Sequence, residues 1–132
     1  MKTPETIKIK IDESKKNIVL IGDNYSLMDI IEIYLYKDYN IVSASNEFDG
    51  IKNINHFSPI CIFLKIQEDI DSLLSFMKKV KKKHLENVPV IAFTGKNIST
   101  IDMFKIKKVG VNEIIKFPIE RREFMIVVDS VL

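Results

Sequence analysis

The pattern of hydrophobic and polar positions predicts strands that are each followed by a helix. Apolar runs of strand length recur along the chain, and the run at 59–66 shows no polar alternation before Lys65. Such a run is typical of a strand buried on both faces, and strands of this kind belong to parallel sheets with helices above and below. We therefore predict that residues 59–66 form the central strand, with Lys65 at its carboxyl end.

The other predicted elements alternate regularly around this strand. The remaining apolar runs predict strands at 17–21, 39–43, 88–93 and 111–117. A stretch with helical spacing follows each of the five strands. This order predicts an α/β fold, a doubly wound parallel sheet of five strands with helices on both faces and right-handed crossovers.

Several residues mark how the predicted helices begin, pack and end. Asn46 is expected to open the second helix, with Gly50 at a close approach to the sheet. Gly110 is expected to end the fourth helix. The apolar periodicity runs through Phe48, Ile51 and Ile54 in the second helix and through Ile101, Met103, Ile106 and Val109 in the fourth.

The N-terminal extension, 1–16, precedes the first of these strands. Its residues 7–11 alternate Ile and Lys, and a polar link follows at 12–16. This pattern predicts either a short strand added to a sheet edge or a loose tail, and we favour the strand. Residues 17–132 form one domain, large enough to fold without disulfides or metals.

Composition and charge exclude several classes of protein. The single Cys, Cys61, rules out an internal disulfide framework, and its place in an apolar run predicts a packing role. No apolar segment reaches membrane-spanning length and the start has no signal-peptide core, so we expect a cytoplasmic protein. A net charge of +2 argues against a dedicated nucleic-acid protein. Binding of nucleic acid or an acidic partner stays a weaker alternative because of the basic cluster Lys78, Lys79, Lys81, Lys82 and Lys83.

The ends of the predicted strands resemble those of a known family. The matching segments are 18–24 (IVLIGDN), 59–65 (PICIFLK), 88–95 (VPVIAFTG) and Gly110 to Pro118. In order and spacing they look like the strand ends of the receiver domain of bacterial response regulators. The resemblance covers 17–132 and implies a flavodoxin-like fold with strand order 2-1-3-4-5.

The resemblance also implies a phosphorylation pocket, but this chain has a degenerate version of it. In the family, two acids on the first strand and an Asp on the third bind Mg²⁺, and that Asp accepts a phosphoryl group from a histidine kinase. The matching residues here are Gly22, Asp23 and Lys65. Thr94 retains the Thr or Ser that holds phosphoryl oxygens, whereas Phe117 stands where the family has its Lys.

Two neighbouring positions depart from the family pattern as well. Lys116 lies one place before the family's Lys, and strand alternation points it to the opposite face of the sheet. Ile114 takes the position of the family's switch aromatic residue.

Elementary electrostatics explains what these replacements imply for Mg²⁺. The ion prefers about six oxygen ligands, usually with one or two carboxylates. The formal charges at the three matching positions, Gly22, Asp23 and Lys65, sum to zero. We therefore expect no cofactor, with Mg²⁺ binding lost or weak. We expect the Lys65 ammonium to lie against Asp23 and replace the cation, with an attraction of about 4 kcal/mol before desolvation.

We interpret the chain as a pseudo-receiver. It is expected to be a non-enzymatic signalling module of a bacterial two-component-type system that acts through protein–protein interaction. The main alternative is a working receiver with a rearranged pocket, in which Asp69 or Asp71 accepts the phosphoryl group. Without acid-base partners around it, a reactive amine at Lys65 is the least favoured role.

The last predicted helix indicates where a partner binds. Its run 124–128 is apolar all the way round, whereas a helix on a sheet should show one polar face. Receivers use the face of the fourth helix, fifth strand and last helix for dimers and effectors. A protein partner or a second copy is therefore expected on this face, bordered by Lys107, Ile114, Phe117, Ile126 and Val127.

Overall fold

A computed structural model describes residues 11–23, 25–83 and 87–132, with only the backbone described at 81–83. The strands in this part of the chain are β1 (Lys16–Ile21), β2 (Tyr39–Ala44), β3 (Cys61–Lys65), β4 (Val90–Thr94) and β5 (Glu113–Lys116). The helices are α1 (Tyr25–Leu35), α2 (Glu47–Phe57), α3 (Asp71–Lys83), α4 (Thr100–Lys108) and α5 (Arg121–Val131). None of these helices is long and apolar enough to cross a membrane.

The strands form one parallel sheet with the order β2-β1-β3-β4-β5. Strand β3 lies at its centre, where Phe63 pairs with Leu20 of β1 and with Ile91 of β4. The predicted fold class, strand order and central strand are confirmed. The predicted strand at 7–11 falls outside the described residues except for Ile11, which is not in a strand.

Each face of the sheet is covered by its own set of helices. Alternate side chains of β3 point to opposite faces, because successive residues of a strand do so. Phe63 joins a cluster with buried residues of α1 and α5, among them Ile31 and Phe124. Leu64 joins a second cluster with buried residues of α2, α3 and α4, among them Met77 and Ile106. The C-terminal edge of the sheet lies between these two layers.

Helix α2 shows one confirmed prediction and one error. Asn46 caps it by accepting a hydrogen bond from the Asp49 backbone N–H at 2.9 Å. A β carbon on Gly50 would lie 2.5 Å from Cδ1 of Ile21, so the close approach to the sheet is real. Phe48, however, is 72% exposed. The buried stripe runs through Gly50 and Ile54, and a residue two positions away points to the opposite side of a helix.

Helix α4 also departs from its predicted packing. Ile106 is buried as expected, but Ile101 is 68% exposed and Met103 is also exposed. The helix is apolar on several sides, so periodicity alone did not identify its inner face. Gly110 follows the helix with a φ of 107°, which confirms its role as the stop.

Candidate functional site

The candidate site lies at the C-terminal edge of the sheet. Lys65 is the last residue of β3, Gly22 and Asp23 directly follow β1, and Thr94 is the last residue of β4. The carboxyl ends of neighbouring parallel strands meet at one edge, where α/β folds place their binding crevices. The structure therefore brings together four of the five pocket residues named from the sequence.

The predicted ion pair between Lys65 and Asp23 is present but loose. Its Nζ and Oδ1 atoms are 3.7 Å apart, and the side chains are 17% and 64% exposed, respectively. Lys65 is thus mostly covered by protein, while Asp23 remains in contact with water. Because water solvates the carboxylate, Asp23 does not depend on Lys65 for stability.

Gly22 and Lys65 are fitted to each other. A β carbon on Gly22 would lie 2.7 Å from the Lys65 Cβ and 3.4 Å from its Cδ. The stem of the lysine therefore occupies the space that a side chain at position 22 would need. The predicted contact of Lys65 with Asp23 does not include this approach, because the spacing of 22 and 65 in the sequence does not show how closely the two strand ends meet.

Thr94 orders the loop that follows β4. Its side chain is buried, and its Oγ1 accepts a hydrogen bond from the Lys96 backbone N–H at 3.1 Å. Its carbonyl oxygen accepts a hydrogen bond from the Phe117 backbone N–H at 2.8 Å. Thr94 thus joins the ends of β4 and β5 beside Lys65.

Phe117 is buried, so its predicted place at the border of the partner face is wrong. The side chain is only 3% exposed, and its ring centroid lies 6.4 Å from that of Phe93 and 6.1 Å from that of Phe124. It cannot border an interface, because the α1 and α5 layer covers it. Lys116, one residue earlier, is exposed and donates a hydrogen bond to Asn97 Oδ1, so it points away from Phe117 as alternation predicted.

A cleft of about 300 Å³ lies between the loops that follow β3 and β4. Its charged lining residues are Lys65, Lys96, Glu68 and Asp102. Lys96 Nζ lies 3.2 Å from Glu68 Oε1, and both side chains are mostly exposed. The Lys65 side chain is 17% exposed and is therefore covered far more completely than those of Lys96 and Glu68, which are 71% and 89% exposed.

The two loop carboxylates considered as replacement phosphoacceptors do not line this cleft. Asp69 Oδ1 accepts a hydrogen bond from the Asp71 backbone N–H at 2.9 Å, where α3 begins. Both side chains are exposed, whereas the cleft is lined by their neighbours Gln67, Glu68 and Ile70. Asp69 thus helps to start a helix.

The site does not fit the Mg²⁺ ion that the fold implies. Its first-strand and third-strand positions offer one carboxylate, Asp23, and place an ammonium 3.7 Å from it. Mg²⁺ favours sites with hard oxygen ligands and repels a fixed positive charge. Across the described ranges, no three His, Cys, Asp or Glu residues come together as a metal site.

The face of α4, β5 and α5 has a different apolar surface from the one predicted. Ile126 is 63% exposed, as expected, whereas Ile114 and Val127 are half-buried. Lys107 lies on this face and forms a 3.8 Å ion pair with Glu113.

Two exposed residues of α4 were missed as candidates for this face. These are Ile101 and Phe104, and Phe104 is 66% exposed with the Lys108 Nζ 5.8 Å from its ring centroid. Residues 101, 104 and 108 share one side of a helix, but helical spacing alone does not show that this side faces water. Ile101 and Phe104 on α4 and Ile126 on α5 are thus exposed apolar residues of the elements that the predicted face comprises.

The remaining candidate residues lie outside the cleft. Cys61 is buried, and burial raises the pKa of its thiol to about 12, so it is a packing residue without a thiolate at neutral pH. His56 is exposed near the end of α2. Lys78 and Lys79 of the basic cluster are exposed on α3, whereas His84 and the side chains of 81–83 are not described.

Comparisons with known proteins find similar folds among solved structures. No protein-family model and no curated protein sequence matches the chain. Among solved structures, it is similar to the chemotaxis protein CheY4 of Vibrio cholerae, with a TM-score of 0.78, 15% identity, and coverage of 89% of this chain and 99% of that chain. It is similar to a response regulator from Thermotoga maritima, with a TM-score of 0.80, 13% identity, and coverage of 89% and 97%.

A third similar structure is the receiver domain of a sensor histidine kinase from Pseudomonas aeruginosa, which was solved with a magnesium ion in its active-site cleft. Its TM-score is 0.74 at 18% identity, and the match covers 89% of this chain and 97% of that chain. At such identities the likeness concerns the fold. The chain has the CheY-like fold of response regulator receiver domains.

Proposed function

We propose that this chain is a pseudo-receiver, a phosphorylation-independent signalling module of a bacterial two-component-type system that works through protein–protein interaction in the cytoplasm. One observation carries the proposal. The residue at the end of β3, where a receiver has its phosphoacceptor Asp, is Lys65, and its stem fills the space above Gly22. The pocket has therefore lost two of its three acids.

The chemistry of receivers cannot proceed at this pair of residues. An acyl phosphate needs a carboxylate oxygen as nucleophile, and phosphoryl transfer needs a cation that gathers the phosphoryl oxygens. Lys65 offers an ammonium, which is neither a carboxylate nor a base. Asp23 is the remaining acid, and it lies 3.7 Å from that ammonium. The proposed module is therefore not an enzyme and uses no Mg²⁺.

The rearranged-pocket alternative has less support. It requires Asp69 or Asp71 to present a carboxylate to the cleft beside a bound metal. Asp69 instead accepts a hydrogen bond from the Asp71 backbone N–H at the start of α3, and neither residue lines the cleft. An exposed loop carboxylate beside a pocket of zero formal charge has nothing that would concentrate a metal next to it.

The interaction surface in this proposal is the face of α4, β5 and α5. Its exposed apolar residues are Ile101, Phe104 and Ile126, each more than 60% exposed. Large apolar side chains in water favour association with another protein. Lys107, on the same helix as Ile101 and Phe104, carries a positive charge that forms an ion pair with Glu113 of β5. A protein partner or a second copy of the chain binds here.

The test of phosphorylation independence is incubation with acetyl phosphate and Mg²⁺, followed by measurement of acid-labile phosphate by intact-mass spectrometry. We expect no mass increase of one phosphoryl group. A receiver domain with all three acids, treated in parallel, is the positive control. An acid-labile phosphate that disappears in Asp69→Asn or Asp71→Asn would establish the alternative and overturn the proposal.

A further inference from the structure

A groove with an acidic lining lies between α1 and the end of the edge strand β2. Its volume is about 390 Å³, and among the described residues that line it Asp29 and Glu32 are charged and none is basic. Glu32 is held in place, because its Oε1 accepts a hydrogen bond from the Ser43 hydroxyl at 2.9 Å. Tyr25 lines the same groove and is 69% exposed. The groove therefore combines two carboxylates with an exposed aromatic ring.

Exposed apolar residues extend this groove along α1. Tyr36 directly follows the helix, and it shares one side of the helix with Tyr25 and Asp29 because of their spacing. Ile33, four residues after Asp29, is 64% exposed. Lys15 donates a hydrogen bond to the Tyr36 carbonyl oxygen at 3.2 Å, about two turns away from Asp29. In the part of the chain that the structure describes, the two groove acids form no ion pair. We call the following residues the acidic surface: Tyr25, Asp29, Glu32, Ile33 and Tyr36.

Helix α4 has the opposite charge and also exposes apolar residues. It contains three lysines and one aspartate. Ile106 points to the sheet, and Phe104, two positions earlier, is exposed on the other side. Lys107 is paired with an acid of β5, whereas Lys105 and Lys108 form no ion pair with any described residue. We call the following residues, which share one side of the helix, the basic surface: Ile101, Phe104, Lys105 and Lys108.

The acidic and basic surfaces lie on opposite faces of the sheet. Helix α1 packs on the face of Phe63, and α4 packs on the face of Leu64. The two surfaces therefore cannot meet within one molecule, but the basic surface of one copy can meet the acidic surface of another. Opposite charges favour such an encounter, and the exposed apolar residues favour burial in a contact. Because its two sides differ, this contact is heterologous and joins copies head to tail.

We propose that a second copy of the chain binds with the basic surface of its α4 in the acidic groove of α1 and β2. In this contact, Lys105 and Lys108 approach Asp29 and Glu32. The inference rests on the proposed function, in which α4 belongs to the interaction face. It goes further by naming the partner and the surface that receives α4. No phosphoryl group and no metal takes part.

Sedimentation velocity of the full chain over a range of concentrations tests the association. We expect the sedimentation coefficient of wild type to rise with protein concentration at low ionic strength. It should fall again in about 0.5 M NaCl, because salt screens exposed charges. Amide NMR spectra recorded on dilution should show shifts in both α1 and α4, since each copy uses both helices.

Two charge-reversal variants test how the copies are joined. One combines Lys105→Glu with Lys108→Glu, and the other combines Asp29→Lys with Glu32→Lys. Each variant alone has two surfaces of the same sign, so we expect it to associate at least about tenfold more weakly than wild type. An equimolar mixture of the two should associate again, because each variant then meets a surface of opposite charge.

The matched control combines Lys52→Glu with Lys79→Glu, which makes the same change in net charge on α2 and α3. It should associate like wild type. A control as weak as the α4 variant would overturn the proposal, because net charge alone would then explain the loss.

Further results would also overturn the proposal. One is a wild type that stays monomeric throughout the concentration series. A second is an α1 variant that associates like wild type, because α4 would then pair with α4 of another copy. A third is a mixture that associates no better than its components. Should the variants fold poorly, dilution shifts of wild type confined to one of the two helices decide against it. Acid-labile phosphate plays no part here, so this test and that of the proposed function fail separately.

Discussion

The Cβ of Lys65 lies 2.7 Å from the position that a β carbon on Gly22 would occupy. Real β carbons do not approach this closely, so a side chain at 22 would force the two strand ends apart. The contact is with a β carbon, which every residue except glycine carries, so the close approach of the two strand ends requires the glycine at 22. Restoring an acid at either position alone would not rebuild a receiver pocket.

Gly22→Ala tests this contact. We expect it to reduce the free energy of unfolding by roughly 1–3 kcal/mol, because the atom it meets is attached directly to the β3 backbone and cannot swing away. Gly95→Ala is the matched control. Its β carbon would meet only Leu27 Cδ1 at 3.8 Å, an ordinary contact, so we expect a change within about 0.5 kcal/mol. Urea denaturation measures both.

The double variant Gly22→Ala with Lys65→Gly tests whether the contact between positions 22 and 65 causes the loss of stability. Removing the Lys65 β carbon gives the new methyl group room, so the double variant should lose less stability than the sum of the two single variants. Additive losses would show that Gly22 is required for another reason.

Two variants separate what the aliphatic stem of Lys65 and its charge each contribute to the stability of the fold. Lys65→Met keeps the stem over Gly22, and we expect it to change the free energy of unfolding by less than about 1 kcal/mol, since Asp23 is mostly solvated. Lys65→Ala also removes the stem and should be destabilising by about 1–2 kcal/mol. Equal and large losses in both variants would mean that the ion pair with Asp23 holds the site together. Thermal and urea unfolding of the two variants provide the comparison.

Cys61 should be inert in the native protein. Burial raises its pKa to about 12 from an ordinary 9.0, so iodoacetamide should react with it only after unfolding, as followed by mass spectrometry.

The unfolded thiol ionises above pH 9 while the folded thiol stays neutral, so its contribution to stability is present below pH 9 and lost as pH rises towards 12. Relative to Cys61→Ala, the wild type should lose about 1.4 kcal/mol per pH unit in that window. Fast alkylation of folded protein, or a pH-independent difference, would contradict this.

Substitutions of Phe104 and Phe124 should have very different effects on stability. Phe124 is fully buried, and Phe124→Ala should cost about 3–5 kcal/mol of stability. Phe104 is 66% exposed, so Phe104→Ser should change stability by less than about 0.5 kcal/mol. If α4 forms the binding face, Phe104→Ser should also weaken self-association or partner binding, measured by sedimentation against wild type. A strongly destabilised Phe104→Ser would place that residue in the core instead.

The strand pattern made the fold predictable, and the resemblance to receivers led to the predicted contact of Lys65 with Asp23, whereas the tight approach of Lys65 to Gly22 did not follow from either. The run from Cys61 to Lys65 is buried on both faces, which sets β3 at the centre of a parallel sheet. The closeness of Gly22 and Lys65 depends on the spacing of two strands that are far apart in sequence. No local pattern encodes that distance.

Phe117 and α4 show two different reasons for error. Strand alternation puts Phe117 on the same side as the buried Ile115, so the sequence held the signal that it belongs to the core. In α4, apolar residues occur on several sides, and only the position of the sheet shows that Ile106 faces inwards while Ile101 and Phe104 face water. The first error was avoidable, and the second required the structure.

The proposed pseudo-receiver has a pocket without a Mg²⁺-dependent phosphoryl switch. The most direct test is an amide NMR spectrum recorded with beryllium fluoride, a phosphoryl mimic, in the presence and absence of Mg²⁺. We expect Mg²⁺ alone to shift nothing at Asp23, and the two beryllium fluoride spectra to be the same. Mg²⁺-dependent shifts that begin at Asp23 and Thr94 and extend into α5 would show a working receiver and overturn the proposed function.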